Sequence, residues 1–404
     1  MTIRGSLLLL PLLGATSTGG GLIGAVEEGP LTPVPLYHAA MVSDGEWVYI
    51  VGGQDDDRTE EGQFYSAAWQ MKPDTNEWVS LPPYPFPIAG ARAALLDRVL
   101  YVVGGALPSE GLSTWGEGEA ARSARSVAHT WGSTPYAANI LATVRRLDLD
   151  ALDAGWQEVA YLNYPRTDFG LAVVDGRLLA VGGNYYPADV SLDGGTCDVD
   201  PDTGRIIHCL PLRAESYDPA LDTWTLDADV LVSRNQPGIA VLEDVAIVAG
   251  GFTFGTTESA VPGAADLAER YDVGTFTFTP TPPPEAVGRA EGAGLAGSTW
   301  FLSESFNLPG GTTTPTRLFG YDPARDRWVY ADLDFARVLP GLVAVGDELW
   351  VIGGYTMAPD ADGNLQPRSM GTPLPMLRLS LQLGPTVEGG CGGSVHVLSE
   401  DEEK

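Results

Sequence analysis

The segment Arg166-Thr-Asp-Phe-Gly-Leu-Ala-Val-Val-Asp-Gly-Arg-Leu-Leu-Ala-Val-Gly-Gly183 shows the pattern that organises this chain. Apolar residues flank Asp175-Gly176, and Asp-Gly between two short apolar runs is typical of a tight β-hairpin turn. The first apolar run starts at Gly170, four residues after an Arg, and the second ends at a pair of glycines. The sequence therefore predicts two short antiparallel strands that end at a Gly pair.

This hairpin pattern recurs along the chain, and self-similarity at a regular interval is the mark of a repeat architecture. Ungapped copies begin at Arg234 and Arg337, and looser copies end in Gly52-Gly53 and Gly104-Gly105. A degenerate copy runs from Arg289 to Leu302, with Ser303 in place of the first Gly of the pair. With the segment quoted first, the chain contains six copies.

A second motif follows the hairpins and contains a turn rich in Pro and Asp. An aromatic residue or Met precedes the turn, and a second aromatic residue lies seven positions further on, in Tyr217 to Trp224, Tyr321 to Trp328, Met71 to Trp78 and Tyr271 to Phe278. We interpret this motif as another hairpin. Each repeat is therefore predicted to contribute four antiparallel strands.

A hairpin ending in Gly-Gly, followed by Tyr-Asp-Pro and Trp at an interval of roughly 50 residues, resembles the kelch repeat. The resemblance extends from about Pro35 to Leu383. It implies an all-β, six-bladed propeller with four-stranded antiparallel blades around a central channel. The sixth copy lacks a convincing outer strand, so we expect the segment from Ala25 to Thr32 to supply it and close the ring. Ser394 to Leu398 is the alternative.

The chain is predicted to have three parts. Residues 1–25 contain a basic start, the apolar run Leu7 to Leu13 and a small-residue region, the order of a secretory signal peptide, with cleavage between Ala15 and Ala25. The alternative interpretation of this segment is a disordered apolar tail. Residues 26–383 form the propeller, and residues 384–404 form a Gly-rich, acidic tail. We therefore expect an exported protein, secreted or periplasmic, with no integral membrane segment after signal removal.

Cysteine and charge content restrict the possibilities further. Cys197 and Cys209 flank a turn-forming segment, which predicts one local disulfide, whereas Cys391 lacks an evident partner and is a free thiol or an intermolecular link. The chain has 53 acidic and 23 basic residues, a net charge of −30. A protein this acidic repels phosphate backbones and anionic lipid head groups, so nucleic-acid and membrane-surface binding are not expected.

Six basic residues are the candidate ligand-binding residues. Arg166, Arg234 and Arg337 enter three inner strands in the same register, so we expect them to point toward a common axis at the channel mouth. Arg92, Arg289 and His38 occupy nearby registers. The functional interpretation is recognition of a carboxylate or sulfate by bidentate Arg hydrogen bonds. The alternative is structural, with each Arg neutralising acidic neighbours or binding carbonyl groups between blades.

No motif specific for catalysis, metal binding or cofactor binding is found in the sequence, so catalytic residues stay unassigned and neither a metal nor a cofactor is expected. We expect a binding module for a glycan or an acidic protein ligand on the face that bears the loops after the Gly pairs. The alternative is an enzyme similar to the sialic-acid mutarotases, exported kelch propellers with arginines at the channel mouth. A carboxyl group of raised pKa beside Arg166, Arg234 and Arg337 would favour that enzyme. A third possibility is a structural surface protein in an assembly.

Overall fold

The computed structural model describes residues 23–381 apart from 56–63, 109–126, 132–133, 185–195, 200–205, 244, 254–262, 265–266, 273–276, 282, 284–286, 296, 305–315, 323–325, 360–364 and 369–370. These residues form an all-β protein whose described helical structure is a single turn of 3-10 helix, Leu152–Ala154. Among them, no helix is long and apolar enough to cross a membrane.

Six four-stranded antiparallel sheets form the blades. The strands are given from the innermost outward. Blade 1 consists of β2 (Ala40–Ser43), β3 (Val48–Val51), β4 (Ala68–Lys72) and β5 (Glu77–Ser80). Blade 2 consists of β6 (Arg92–Leu96), β7 (Val99–Val103), β11 (Val144–Asp148) and β12 (Gln157–Val159), and blade 3 of β13 (Gly170–Val174), β14 (Arg177–Val181), β17 (Arg213–Asp218) and β18 (Thr223–Asp229). Blade 4 consists of β19 (Gly238–Leu242), β20 (Val245–Ala249), β23 (Glu269–Asp272) and β24 (Thr277–Pro280). Blade 5 consists of β25 (Ala290–Leu295), β26 (Ser298–Ser303), β27 (Arg317–Asp322) and β28 (Arg327–Asp332). Blade 6 consists of β29 (Val338–Val345), β30 (Glu348–Pro359), β32 (Pro375–Leu381) and β1 (Ile23–Leu31). The innermost strands contact one another in sequence, and β29 returns to β2. The six-bladed propeller predicted from the repeats is confirmed.

The ring is closed by the N-terminal strand. Strand β1 pairs antiparallel with β32, with Val26 opposite Leu379 and Glu28 opposite Leu377. Blade 6 is therefore built from both ends of the propeller sequence, as predicted, and its strand β32 is not left as an open edge. The alternative segment, Ser394 to Leu398, lies outside the described residues.

The two faces of the propeller differ in their connections. We call the side on which the chain leaves the Gly pairs the loop face, and the opposite side, with the turns between first and second strands, the turn face. Extra strands follow the Gly pairs of blades 2, 3, 4 and 6: β8 (Ala106–Pro108), β9 (Val127–Trp131), β10 (Thr134–Ile140), β15 (Thr196–Val199), β16 (Ile206–Leu210), β21 (Phe252–Thr253), β22 (Gly263–Ala264) and β31 (Leu365–Arg368). The corresponding turns on the turn face are two to four residues long.

The second sequence motif is a cross-strand aromatic pair. Tyr217 lies directly opposite Trp224, and Tyr321 opposite Trp328. Their ring centroids are 5.3 and 4.8 Å apart, respectively. All four side chains are buried between blades. Such pairs stabilise a sheet beyond the area they bury, which explains why the motif recurs in the outer half of the blades.

The Gly pairs are required where one blade meets the next. Gly182 and Gly183 have φ angles of 68° and 94°, the left-handed region that favours glycine. A Cβ atom on Gly182 would lie 2.6 Å from the carbonyl oxygen of Arg234 in the next blade. The Gly183 N–H donates a 2.9 Å hydrogen bond to that same oxygen. The repeat therefore needs glycine because two backbones approach closely at this point.

Candidate functional site

The three arginines in identical register lie inside their own blades. The Arg166 guanidinium donates from Nε to Glu215 at 3.0 Å and from its terminal nitrogens to the carbonyl oxygens of Gly182 at 2.8 Å and Arg213 at 2.6 Å. The side chains of Arg166 and Glu215 have no exposed surface. Arg166 therefore ties the second strand of blade 3 to the third.

Blade 4 repeats this arrangement, and blade 6 repeats its hydrogen bonds to carbonyl oxygens. Arg234 is fully buried, pairs with Glu269 and donates to the Gly250 carbonyl oxygen at 3.1 Å. Arg337 donates to the carbonyl oxygens of Gly353 at 3.0 Å and Pro375 at 2.8 Å, and burial lowers its pKa to about 10. The three guanidinium groups do not meet at a common axis, contrary to the expectation from their register. Their partners are those of the structural alternative.

Sequence reasoning missed the two carboxylates that pair with Arg166 and Arg234. Glu215 also accepts the Asn163 N–H at 2.6 Å, and Glu269 accepts the Leu231 N–H at 2.6 Å. Each of them binds the chain as it enters the first strand of its blade. The sequence contains a signal that could have identified these two glutamates. Each lies two positions before the aromatic residue of the second motif, as Glu-Ser-Tyr217 and Glu-Arg-Tyr271.

A ring of backbone hydrogen bonds surrounds the axis at the loop face. Each N–H donates to the carbonyl oxygen of the preceding blade: His38 to Leu339 at 3.4 Å, Gly90 to His38 at 2.9 Å, Asp168 to Gly90 at 3.0 Å, Gln236 to Asp168 at 2.7 Å and Ala290 to Gln236 at 3.2 Å. We call these six residues the axial ring. The His38, Asp168, Gln236 and Leu339 backbones have φ angles between 52° and 57°. This conformation is strained for residues other than glycine, and the hydrogen bonds of the axial ring hold it in place around the channel at this end.

The sixth link of the axial ring uses a side chain. The Leu339 N–H donates to Glu304 Oε1 at 2.5 Å. Glu304 follows Ser303, in the degenerate repeat that lacks a Gly pair. Its side chain is 5% exposed, and the nearest Arg289 nitrogen is 3.9 Å from its Oε2. Burial raises the pKa of Glu304 to about 7, against the opposing effects of Arg289 and the Leu339 N–H.

Polar side chains of the axial ring contact one another. His38 Nε2 lies 3.0 Å from Asp168 Oδ1 and 3.2 Å from Gln236 Nε2. Burial alone would raise the pKa of Asp168, but His38 and Arg92 reverse the effect and lower it to about 2. Asp168 is therefore an anion held by a histidine and an arginine.

An ion pair crosses the channel directly below the axial ring. Arg92 contacts both Glu291 oxygens, at 2.7 and 2.9 Å. Blades 2 and 5 stand opposite each other in a ring of six, so this pair spans the channel. The equivalent positions in the other blades are small: Ala40, Gly170, Gly238 and Gly341. The side chains of Arg92 and Glu291 are 18% and 24% exposed, and burial raises the pKa of Glu291 despite the neighbouring guanidinium.

The structure thus divides the six predicted ligand-binding residues into two groups. His38, Arg92 and Arg289 come together at the channel end that faces the loops, where they meet Asp168, Glu291 and Glu304. Arg166, Arg234 and Arg337 lie within blades 3, 4 and 6. In the described part of the chain, no group of three or more His, Cys, Asp or Glu side chains is arranged to hold a metal ion. At this end of the channel, each of the three basic side chains therefore lies beside a carboxyl group.

The predicted cysteine pair lies on the loop face. Strands β15 and β16 pair antiparallel and place Cys197 directly opposite Cys209. Opposed residues of an antiparallel pair have Cα atoms about 4.5 to 5.5 Å apart. This separation falls within the range that a disulfide spans.

Comparisons with known proteins agree with the repeat and the fold. The Kelch motif matches residues 35–84, which contain blade 1. Kelch-like protein 15 of Danio rerio is 26% identical over 222 residues, covering 55% of this chain and 31% of that protein. Kelch-like protein 38 of Mus musculus is 26% identical over 281 residues, covering 58% of this chain and 47% of that protein.

A third relative covers a shorter region. Beta-scruin of Limulus polyphemus is 30% identical over 112 residues, 25% of this chain and 12% of that protein. The chain thus matches less than half the length of each of these three relatives. The six repeated hairpins, five of which end in a Gly pair, the ring of four-stranded blades and these matches together identify the chain as a kelch-repeat β-propeller.

Proposed function

We propose that this propeller is a protein-binding module that contacts its partner through the loop face. The observation that carries the proposal is the unequal elaboration of the two faces. Blades 2, 3, 4 and 6 each carry extra strands after the Gly pair, whereas the first and second strands of every blade are joined by short turns. Loops displayed by a rigid scaffold are where binding surfaces concentrate.

An acidic protein segment or an anionic glycan, from the ligand classes predicted from the sequence, would need a cationic side chain on this face. Arg289, whose side chain is 17% exposed, is a candidate, and the His38 side chain is 23% exposed at the same end of the channel. Arg289 also lies over the Phe252 ring, at 5.2 Å from the ring centroid. An anionic group could stack on this aromatic and cationic pair at the start of the blade 4 insert.

The geometry favours binding over the sugar-isomerase alternative. That alternative called for a carboxyl group of raised pKa beside Arg166, Arg234 and Arg337. The carboxyl group whose pKa is raised to about 7, Glu304, lies instead beside Arg289. It also accepts the Leu339 N–H, which is a structural use of the group.

Site-specific photo-crosslinking tests the proposal face by face. A photo-reactive amino acid is placed at Thr253, which is half-buried on the loop face, or at Leu221, which is 72% exposed on the turn face. Each of the two photo-reactive variants is incubated with the extracellular proteins of the cells that produce the chain. We expect a specific protein to be captured from Thr253 and not from Leu221. Capture from Leu221 alone, or equally from both positions, would contradict the proposal.

A loop-replacement variant supplies the matched control. Replacing Thr196–Leu210 by a short Gly-Ser linker removes the blade 3 hairpin and leaves β14 and β17 in place. The variant should keep the circular dichroism spectrum of the parent and lose part of the captured partner. Unchanged capture would place the interface outside blade 3.

We also propose that the chain is exported and carries a Cys197–Cys209 disulfide. The directly opposed register of the two residues supports the disulfide. Strand β1 begins at Ile23, so a signal peptide removed before that residue leaves the closing strand intact. Mass spectrometry of the secreted protein tests both points. The expected result is a mature N-terminus before Ile23 and a mass two hydrogens lighter than that of the reduced form.

A further inference from the structure

The central channel encloses a cavity of about 530 Å³ between the Arg92–Glu291 pair and the turn face. All six innermost strands line it, and its walls carry half-buried apolar side chains such as Met41, Leu171 and Val241. The lining starts at Ala93 and Gly292, the residues that directly follow Arg92 and Glu291. The ion pair and the axial ring therefore close one end, and the cavity is a blind pocket that opens on the turn face. We call it the turn-face pocket.

The opening of the turn-face pocket is acidic. Five of the six turns between first and second strands contain an exposed carboxylate: Asp44, Asp97, Asp175, Glu243 and Asp347. Glu243 lines the pocket itself, whereas Asp44 accepts the Tyr49 hydroxyl at 2.9 Å. Two basic residues at these turns are directed to outer strands, where Arg98 pairs with Asp150 at 2.9 Å and Arg177 with Asp218 at 3.0 Å. Charges of one sign around a concave, low-dielectric opening concentrate the field there.

Apolar side chains on walls built from strand backbones, a closed end and acidic turns around the opening define the ligand chemistry. We propose that the turn-face pocket binds an amphiphilic organic cation, an aliphatic chain with an ammonium head group. The chain would lie along the apolar walls, and the head group would remain at the opening among the carboxylates. The volume falls within the range of about 300 to 1,000 Å³ typical of small-molecule sites. The pocket lies on the face opposite the proposed protein interface, so it does not depend on that proposal.

Two physical effects should make the affinity for this ligand differ from the affinities for chemically related compounds. Each methylene group buried against the walls should improve affinity about fourfold. The carboxylates should favour an ammonium over a carboxylate head group of equal chain length, and salt should weaken this preference because the charges at the opening are exposed. Chain length, head-group charge and ionic strength are therefore three independent readouts.

Isothermal titration calorimetry with n-octylammonium, n-butylammonium, n-octanol and octanoate at low salt is the first experiment. We expect octylammonium to bind best, butylammonium to bind at least about tenfold more weakly, and octanoate to bind worst of the three eight-carbon probes. Equal affinity for octylammonium and octanoate would overturn the proposal. Failure of octylammonium to bind at millimolar concentration would overturn it as well.

Variants locate the binding in the pocket. Asp175→Asn combined with Glu243→Gln removes two carboxylates from the opening, and both residues have φ near 50°, which Asn in particular tolerates. We expect octylammonium affinity to fall about threefold to tenfold. The control, Glu77→Gln with Asp153→Asn, makes the same change in net charge at exposed positions outside the channel and should leave affinity unchanged. Equal effects of the two variants would contradict the site.

Filling the pocket is the complementary test. Val173→Trp places a large side chain against the half-buried wall and should abolish octylammonium binding. Because this variant could misfold, its melting curve is recorded alongside that of the charge variant, which does not touch the core. Undiminished binding by a folded Val173→Trp protein would exclude the turn-face pocket.

Discussion

Changing Glu304 to Gln should alter how the stability of the propeller depends on pH. Burial raises the pKa of Glu304 from 4.5 to about 7. The folded protein therefore keeps a proton that the unfolded chain releases near pH 4.5, and the free energy of unfolding falls as the pH rises from about 4.5 to 7. A difference of about 2.5 pKa units corresponds to about 3 kcal/mol. Gln cannot ionise, yet its side-chain oxygen can still accept the Leu339 N–H.

The assay is denaturant unfolding of the wild type and Glu304→Gln at pH 5 and pH 8. Relative to the wild type, the variant should gain about 2.5 kcal/mol of stability between the two pH values, because part of the total effect lies below pH 5. The comparison isolates Glu304, because all other titrating groups are shared. Asp168, whose pKa is lowered to about 2, acts in a separate pH range. Its contribution to stability is lost as the pH falls from about 4 toward 2. Glu77→Gln, an exposed carboxylate on β5, serves as the baseline. A stability difference that is the same at both pH values would refute the raised pKa of Glu304.

Two further predictions concern the channel and the ring closure. A double-mutant cycle on Arg92 and Glu291, with Ala at each position, should give a coupling energy of about 1 to 3 kcal/mol, because each single change leaves the other charge largely buried. The same cycle on the exposed pair Arg98 and Asp150 is the control and should give a coupling energy of less than about 1 kcal/mol. Equal coupling in the two cycles would show that the channel pair is fully solvated. Deleting Ile23–Leu31 should lower the free energy of unfolding by about 3 kcal/mol or more, since it removes a hydrogen-bonded strand and exposes the edge of blade 6. A chain that begins just before Ile23 is the control, and equal unfolding midpoints of the two chains would contradict a structural role for this strand.

The fold was accessible from the sequence because its determinants are local and repeated. An Asp-Gly turn, a close-packed Gly pair and an aromatic pair seven residues apart each depend on neighbours within one hairpin or at one blade contact. Six copies of the pattern made the number of blades countable. The need for a closing strand was also predictable, because a sixth repeat without an outer strand requires one from elsewhere in the chain. The structure decided between the two candidate segments in favour of the N-terminal one.

The candidate site was only half accessible, for a reason that the arginines illustrate. Arg166 precedes an inner strand and Arg92 begins one, but neither position reveals which group the side chain contacts. The direction of each side chain depends on the residue that receives it, and Glu215 is 49 positions away from Arg166, whereas Glu291 is 199 positions from Arg92. The first partner lies in the same blade and the second across the channel.

The sequence by itself determined the repeat, the number of blades and the need for a strand from elsewhere in the chain to complete blade 6, since these follow from local turn chemistry and from counting. Only the tertiary structure decided which charges meet. The axial ring, the Glu304 link, the Arg92–Glu291 bridge and the pocket below it join residues from different blades, and their geometry exists only after six hairpins have closed into a circle. Local patterns record which strands a segment can form, whereas long-range charge pairing depends on how those strands are arranged around the axis.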